Sequence, residues 1–233
     1  MQIQTVGIIG AGTMGNGIAQ ACATSGINVV MVDISEAAVQ KGLATVAGSL
    51  DRLIKKEKIS AADKEAALAK IKVSTDYSAL KAAQLVIEAA TENEALKIKI
   101  LQEVDALVGP EVLIASNTSS ISITKLAAVT GRADKFIGMH FFNPVPMMAL
   151  VEVIRGLQTS DATHAAVQAL AQQLGKTPIT VKNGPGFVVN RVLTPLTTEA
   201  FFVLAAGLAT AEDTDAGTKP ACNPPPRPLA LAD

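Results

Sequence analysis

Short apolar runs alternate along the chain with longer stretches of helical period, the pattern of a parallel sheet covered by helices. The runs at 5–10, 28–33, 84–90, 112–115, 136–142, 149–154 and 178–182 predict strands. Apolar positions three and four apart predict helices at 13–25, 36–56, 60–70, 94–107, 122–129 and 161–174. Ser35 stands directly before the long second helix, where a hydroxyl can accept an otherwise unpaired helical N–H. The expected fold is α/β: a Rossmann-like, mostly parallel, doubly wound sheet with a helical excursion over about 36–70. Asn183-Gly184-Pro185-Gly186 reads as a boundary between residues 1–183 and a second, all-helical domain over 184–233.

A long helix is expected at 187–208, with Arg191 and Glu199 its only charges and a kink at Pro195. A helix apolar on nearly every side must be buried on most of them. Five of the chain's 11 prolines fall within 220–228, so the residues that follow are poor cover and a partner is expected instead.

Composition narrows the function. The chain has 233 residues, 49% of them hydrophobic and 18% charged, with 20 basic side chains against 21 acidic ones. That balance excludes disorder and supplies no excess positive field for nucleic acid. Aromatic residues make up only 3%, too few for stacked bases. Cys22 and Cys222 are too few and too far apart for a disulfide framework or a cysteine zinc site, and no metal is expected. No charge precedes Asp33, but Gly10, Gly12, Gly15, Gly17, Gln20 and Asn28 break that stretch as a membrane span. It also lacks the basic start of a signal peptide. A soluble, cytoplasmic chain without a membrane partner is expected.

Gly10-Ala11-Gly12-Thr13-Met14-Gly15 fits G-x-G-x-x-G between a predicted strand and a predicted helix. Gly10 permits the tight turn, Gly12 lets backbone approach a pyrophosphate, and Gly15 lets the helix pack close to the sheet. The anion then rests on the N–H groups that open the helix, beside Thr13 and Met14. Asp33 ends the second strand, where a carboxylate can accept the ribose hydroxyls. A 2′-phosphate there would meet Asp33 and Glu36, with no basic residue before Lys41. The expected cofactor is NAD rather than NADP.

His140 and Glu152 each sit in an otherwise uncharged apolar strand. A buried carboxylate needs a hydrogen-bonded partner, and pairing it with the imidazole satisfies both and fixes the tautomer. The other ring nitrogen then serves as acid or base beside a nicotinamide. The second histidine, His164, reads as exposed. Residues 116–120, Ser-Asn-Thr-Ser-Ser, follow a buried strand at the edge where such sheets bind ligands, although a plain turn or helix cap reads equally well. Arg52, Lys55, Lys56 and Lys58 form a basic face that is either solvated or a phosphate handle.

The blocks GIIGAGTMGNGIAQ, IEAATEN, ASNTSSISIT, GMHFFNPVPMMALVEVI and GPGFVVNR, spread over about 1–207, resemble the 3-hydroxyacyl-CoA dehydrogenase family. The resemblance implies an acyl-CoA substrate, with His140 as general base and Glu152 orienting it. It implies that Ser119 and Asn190 hold the substrate oxygen. Ser119, Asn143, Glu92 and Lys97 match cofactor-contacting positions, and Ser49 and Lys56 match positions that contact coenzyme A. Family members continue through a longer helical domain that forms a homodimer, so the second domain is expected to be truncated. Two alternatives stand beside this reading: a catalytically silent NAD-binding chain, and a related NAD-dependent dehydrogenase of hydroxy acids.

Overall fold

The computed structural model describes residues 2–221. Cys222 and most of the proline-rich stretch lie outside the described residues. The chain divides into two compact units, 1–184 and 185–233.

The first unit is one eight-stranded sheet. Its strands are β1 (Thr5–Ile9), β2 (Asn28–Val32), β3 (Ile71–Ser74), β4 (Leu85–Glu88), β5 (Leu113–Ser116), β6 (Phe136–Phe141), β7 (Leu150–Arg155) and β8 (Thr177–Lys182). They lie in the order β3-β2-β1-β4-β5-β6-β7-β8. The helices are α1 (Thr13–Thr24), α2 (Glu36–Lys55), α3 (Ala61–Ala69), α4 (Glu94–Leu107), α5 (Ile123–Ala127) and α6 (Asp161–Gln173). The central strands are near-continuous apolar runs because helices cover both of their faces. Val6, Ile8, Met31, Val86, Ile87, Ile114, Ile137 and Met139 are all buried. Local chemistry marks where helices begin: Ser35, Asn93 and Ser160 each accept an N–H of the first turn. Ser60 and Asp63 close a reciprocal capping box on α3.

Chain order reverses between β1 and β4, so a crevice opens there at the carboxyl ends of the strands. β7 departs from the parallel pattern. It runs antiparallel to β6 and sets His140 opposite Glu152, and β8 then pairs parallel to β7. The sequence expectations also lacked β3 and a 3-10 helix at Tyr77–Ala82. His164 is half-buried rather than exposed, with its Nε2 2.9 Å from Thr180 Oγ1. Burial, with Arg155 nearby, lowers its pKa. Cys22 is fully buried, which pushes its thiol up to about 12 and leaves it chemically quiet.

The second unit contains α7 (Val189–Ala205) and α8 (Ala211–Ala221). α7 starts later than its apolar pattern predicts because Phe187 has a left-handed φ of 48°. Pro195 lies inside α7, which continues past it to Ala205. On α7, Val192, Phe201 and Phe202 are 61%, 50% and 62% exposed. Among the described residues, no helix is long and apolar enough to cross a membrane.

Candidate active site

The turn after β1 opens the site. Gly10 has φ 99°, and a Cβ there would lie 2.6 Å from the Ala89 carbonyl oxygen. A Cβ on Gly15 would lie 1.7 Å from the Gly10 carbonyl oxygen, so only glycine lets α1 start this close to β1. Gly12 differs, since a Cβ there meets nothing within 4 Å. It caps α1 without a side chain, leaving the first N–H groups of the helix open to an anion. Asp33 buttresses the turn: its Oδ2 accepts from Ala11 N at 2.7 Å and its Oδ1 from Ile34 N at 2.7 Å. Each oxygen keeps a second lone pair for a ribose hydroxyl. A cleft of about 690 Å³ runs past these groups, with Thr13, Met14, Ala90 and Leu96 among its lining. Its size, bare helix start and terminal carboxylate fit a dinucleotide. Gly15→Ala is expected to lower the melting temperature by several degrees and NADH affinity at least tenfold, because overpacking here costs about 1–3 kcal/mol. Calorimetry and an NADH titration check both.

Farther along the same edge lies a charged cluster. Glu88 and Lys97 are both buried, and the Lys97 Nζ stands 2.7 and 2.9 Å from the two Glu88 oxygens. Glu88 also accepts from Ser116 Oγ at 2.6 Å and Ala90 N at 2.8 Å. Lys97 reaches Glu92 at 3.3 Å. Glu92 Oε1 in turn accepts from Thr118 Oγ1 and Ser119 N, both at 2.7 Å, and from Ser119 Oγ at 3.1 Å. Burial pushes the Glu92 carboxyl up, but these donors and the Lys97 charge outweigh it and hold the group below its ordinary pKa. The Ser119 hydroxyl makes the longest of the three bonds to that oxygen, so it is the donor most readily turned toward another acceptor.

Lys97 thus faces two carboxylates from inside the protein rather than open space. Glu88 is the residue that sequence reasoning missed. The signal was available, because the argument applied to Glu152 applies equally to a carboxylate ending the apolar strand Leu85–Glu88.

The third part is the β6–β7 hairpin. His140 Nδ1 lies 2.7 Å from Glu152 Oε2, with both side chains buried. With Glu152 as an accepting carboxylate, Nδ1 donates to it and the ring's lone pair stands on Nε2. The Phe142 ring packs 4.5 Å from the imidazole. Buried Asn117 accepts from Phe141 N at 2.9 Å, tying the end of β6 to the loop that bears Thr118 and Ser119. Asn143 is exposed in the loop that follows, before a cis peptide bond to Pro144.

Three further predicted residues stand on helices. Ser49 is half-buried on α2, Lys56 is exposed at its C-cap, and neither lines the cleft. Asn190 is near the start of α7 in the second unit. Among the described residues, no group of three or more His, Cys, Asp or Glu side chains could hold a metal ion.

Comparison with known proteins adds names to this geometry. The family profile "3-hydroxyacyl-CoA dehydrogenase, NAD binding domain" matches residues 5–184, and that family's C-terminal domain profile matches 186–233. A 3-hydroxybutyryl-CoA dehydrogenase of Bradyrhizobium diazoefficiens is 45% identical over 231 residues, covering 99% of this chain and 79% of that protein. A probable 3-hydroxybutyryl-CoA dehydrogenase of Bacillus subtilis is 44% identical over 233 residues, or 100% of this chain and 81% of that protein. The crystal structure of (S)-3-hydroxybutyryl-CoA dehydrogenase PaaH1 from Ralstonia eutropha superposes with a TM-score of 0.97 at 73% identity, covering 99% of this chain and 82% of that one. Matches of this length and identity run through both units, and the chain therefore belongs to the 3-hydroxyacyl-CoA dehydrogenase family.

Proposed function

We propose that the protein oxidises (S)-3-hydroxyacyl-CoA, with 3-hydroxybutyryl-CoA the favoured substrate, reversibly to 3-oxoacyl-CoA. The observation that carries this reading is the buried His140–Glu152 pair on the sheet edge that also bears the glycine turn and Asp33. Bound NAD supplies the hydride acceptor. The turn 10–15 and the start of α1 hold its pyrophosphate, and Asp33 holds the adenosine ribose. His140 Nε2 takes the proton of the 3-hydroxyl group as hydride leaves C3, and Glu152 stabilises the imidazolium through Nδ1. In the opposite direction His140 returns the proton to the oxygen at C3. Ser119, turned from Glu92, donates to that oxygen, and Asn190 completes its hold. Asn143 meets the nicotinamide side. Glu92 contacts the cofactor, with Lys97 acting behind it. Ser49 and Lys56 receive coenzyme A, where the Lys56 ammonium can neutralise a phosphate.

We further propose a homodimer formed through the exposed apolar residues of α7, Val192, Phe201 and Phe202. A cytoplasmic location fits a chain whose described cysteine is a buried free thiol.

The test is direct. Purified protein mixed with NADH and acetoacetyl-CoA should oxidise NADH rapidly, and free acetoacetate should not replace the thioester. Equal rates with both would favour a hydroxy-acid dehydrogenase. NADH binding without any oxidation would favour a silent NAD-binding protein.

A further inference from the structure

We infer that Lys176 is a positioning residue for hydride transfer: its grip on the main chain of the β6–β7 loop fixes where Asn143 stands relative to the His140–Glu152 pair. The inference rests on the activity and the Asn143 role proposed above.

Lys176 lies between α6 and β8, outside the hairpin it holds. Its Nζ donates to the Val145 carbonyl at 2.6 Å and to the Met148 carbonyl at 2.8 Å. Both acceptors belong to the loop 142–149, which joins the His140 strand to the Glu152 strand. The loop's internal bonds are few: Met147 N and Met148 N both donate to the Pro144 carbonyl. Its other attachments are the Phe142 ring against His140 where the loop begins, the Ala149 carbonyl, which accepts from Thr177 N at 2.8 Å, and Val145, the loop's buried residue. Val145 packs on the bare backbone of Gly17 in α1, where an added Cβ would come within 2.9 Å of it. Asn143, Pro144, Pro146, Met147 and Met148 are exposed and contribute little packing.

The loop tip is therefore fixed at two places, by Val145 on the helix that opens the cofactor cleft and by the ammonium of Lys176. A half-buried ammonium gives up part of its hydration, and burial lowers the Lys176 pKa accordingly. Two main-chain carbonyls replace that lost water, and charge-assisted bonds of this kind are stronger than neutral ones. The register of β6 on β7 does not depend on the grip, because the strand ladder sets it. The grip instead controls the residues that follow His140.

The experiment uses the full chain with Lys176→Met, which keeps the apolar stem and removes the donors, and Lys176→Arg, which restores two donors. Amide exchange of peptides covering 142–149, measured without cofactor, reports the grip itself. Lys176→Met is expected to speed that exchange and lower kcat about 10- to 100-fold, as a small misplacement of reacting groups does. NADH affinity should stay within about threefold, since the turn 10–15 and Asp33 are untouched. Lys176→Arg should recover most of the rate. Unchanged loop exchange or unchanged kcat in Lys176→Met overturns the inference, as does a loss that Lys176→Arg fails to restore. Should Lys176→Met not fold, Lys176→Gln is read by the same criteria. A wild-type chain that turns over no NADH overturns the proposed activity instead, and the exchange measurement still decides whether Lys176 holds the loop.

Discussion

Replacing His140 with Gln is expected to lower turnover by about 10²- to 10⁴-fold, the range that a positioned general acid–base supplies. Glutamine can occupy the space and accept or donate a hydrogen bond, but it neither takes up nor releases a proton near neutral pH. NADH affinity should change by less than about threefold, because the turn 10–15 and Asp33, proposed to hold the pyrophosphate and ribose, lie away from His140. Isothermal titration with NADH, run beside the acetoacetyl-CoA assay, separates the two effects. A variant that keeps a substantial part of the wild-type rate would remove His140 from the chemistry. Loss of NADH binding together with the rate would mean that the substitution disturbed the sheet edge, not the proton transfer.

The second large effect concerns stability. Lys97→Met should destabilise the fold by about 3–5 kcal/mol, since it leaves the buried Glu88 carboxylate without its cation. Against a total stability of about 5–15 kcal/mol that is a large fraction. For a unit of this size it corresponds to a fall in melting temperature of roughly 6–20 °C. Ser116 Oγ and Ala90 N still donate to Glu88, so the cost should fall short of that of a wholly unpaired charge. Adding Glu88→Gln should recover part of the loss, because the orphaned charge is then gone. Thermal unfolding of the two single variants and the double variant measures the coupling. Strictly additive losses would show that the ion pair contributes nothing beyond its two packed side chains.

Much of the fold was legible because the strands that form the crevice are buried on both faces and carry unbroken apolar runs. The turn 10–15 and Asp33 were legible for a related reason, since their chemistry is local. His140 and Glu152 stood out as polar groups in apolar strands. Glu88 stood out by the same rule and was overlooked. β3 was hard to read because it is a four-residue edge strand whose Lys72 is exposed, so no apolar run marks it. The antiparallel direction of β7 was available indirectly. The loop 142–149 is too short for a parallel crossover, which takes about a dozen residues or more. Lys97 was the least legible residue. Its match to a cofactor-contacting position says nothing of the two carboxylates that enclose it, and those contacts exist only once β4, β5 and α4 have packed. Lys176 carries no sequence signal at all, because main-chain carbonyls hold it.

The antiparallel turn between β6 and β7 also bears on how the site comes together. His140 and Glu152 are 12 residues apart along the chain, whereas the contact between β1 and the segment leading into β4 joins Thr5 to Gln84, 79 residues away. Closing the longer span costs about 1.7 kcal/mol more in chain entropy than closing the shorter one. The His140–Glu152 part of the site is thus assembled from neighbours, and the crevice beside it from distant segments. In chain entropy alone, the pairing of β1 with β4 is the costlier of the two closures, and the meeting of imidazole and carboxylate the cheaper.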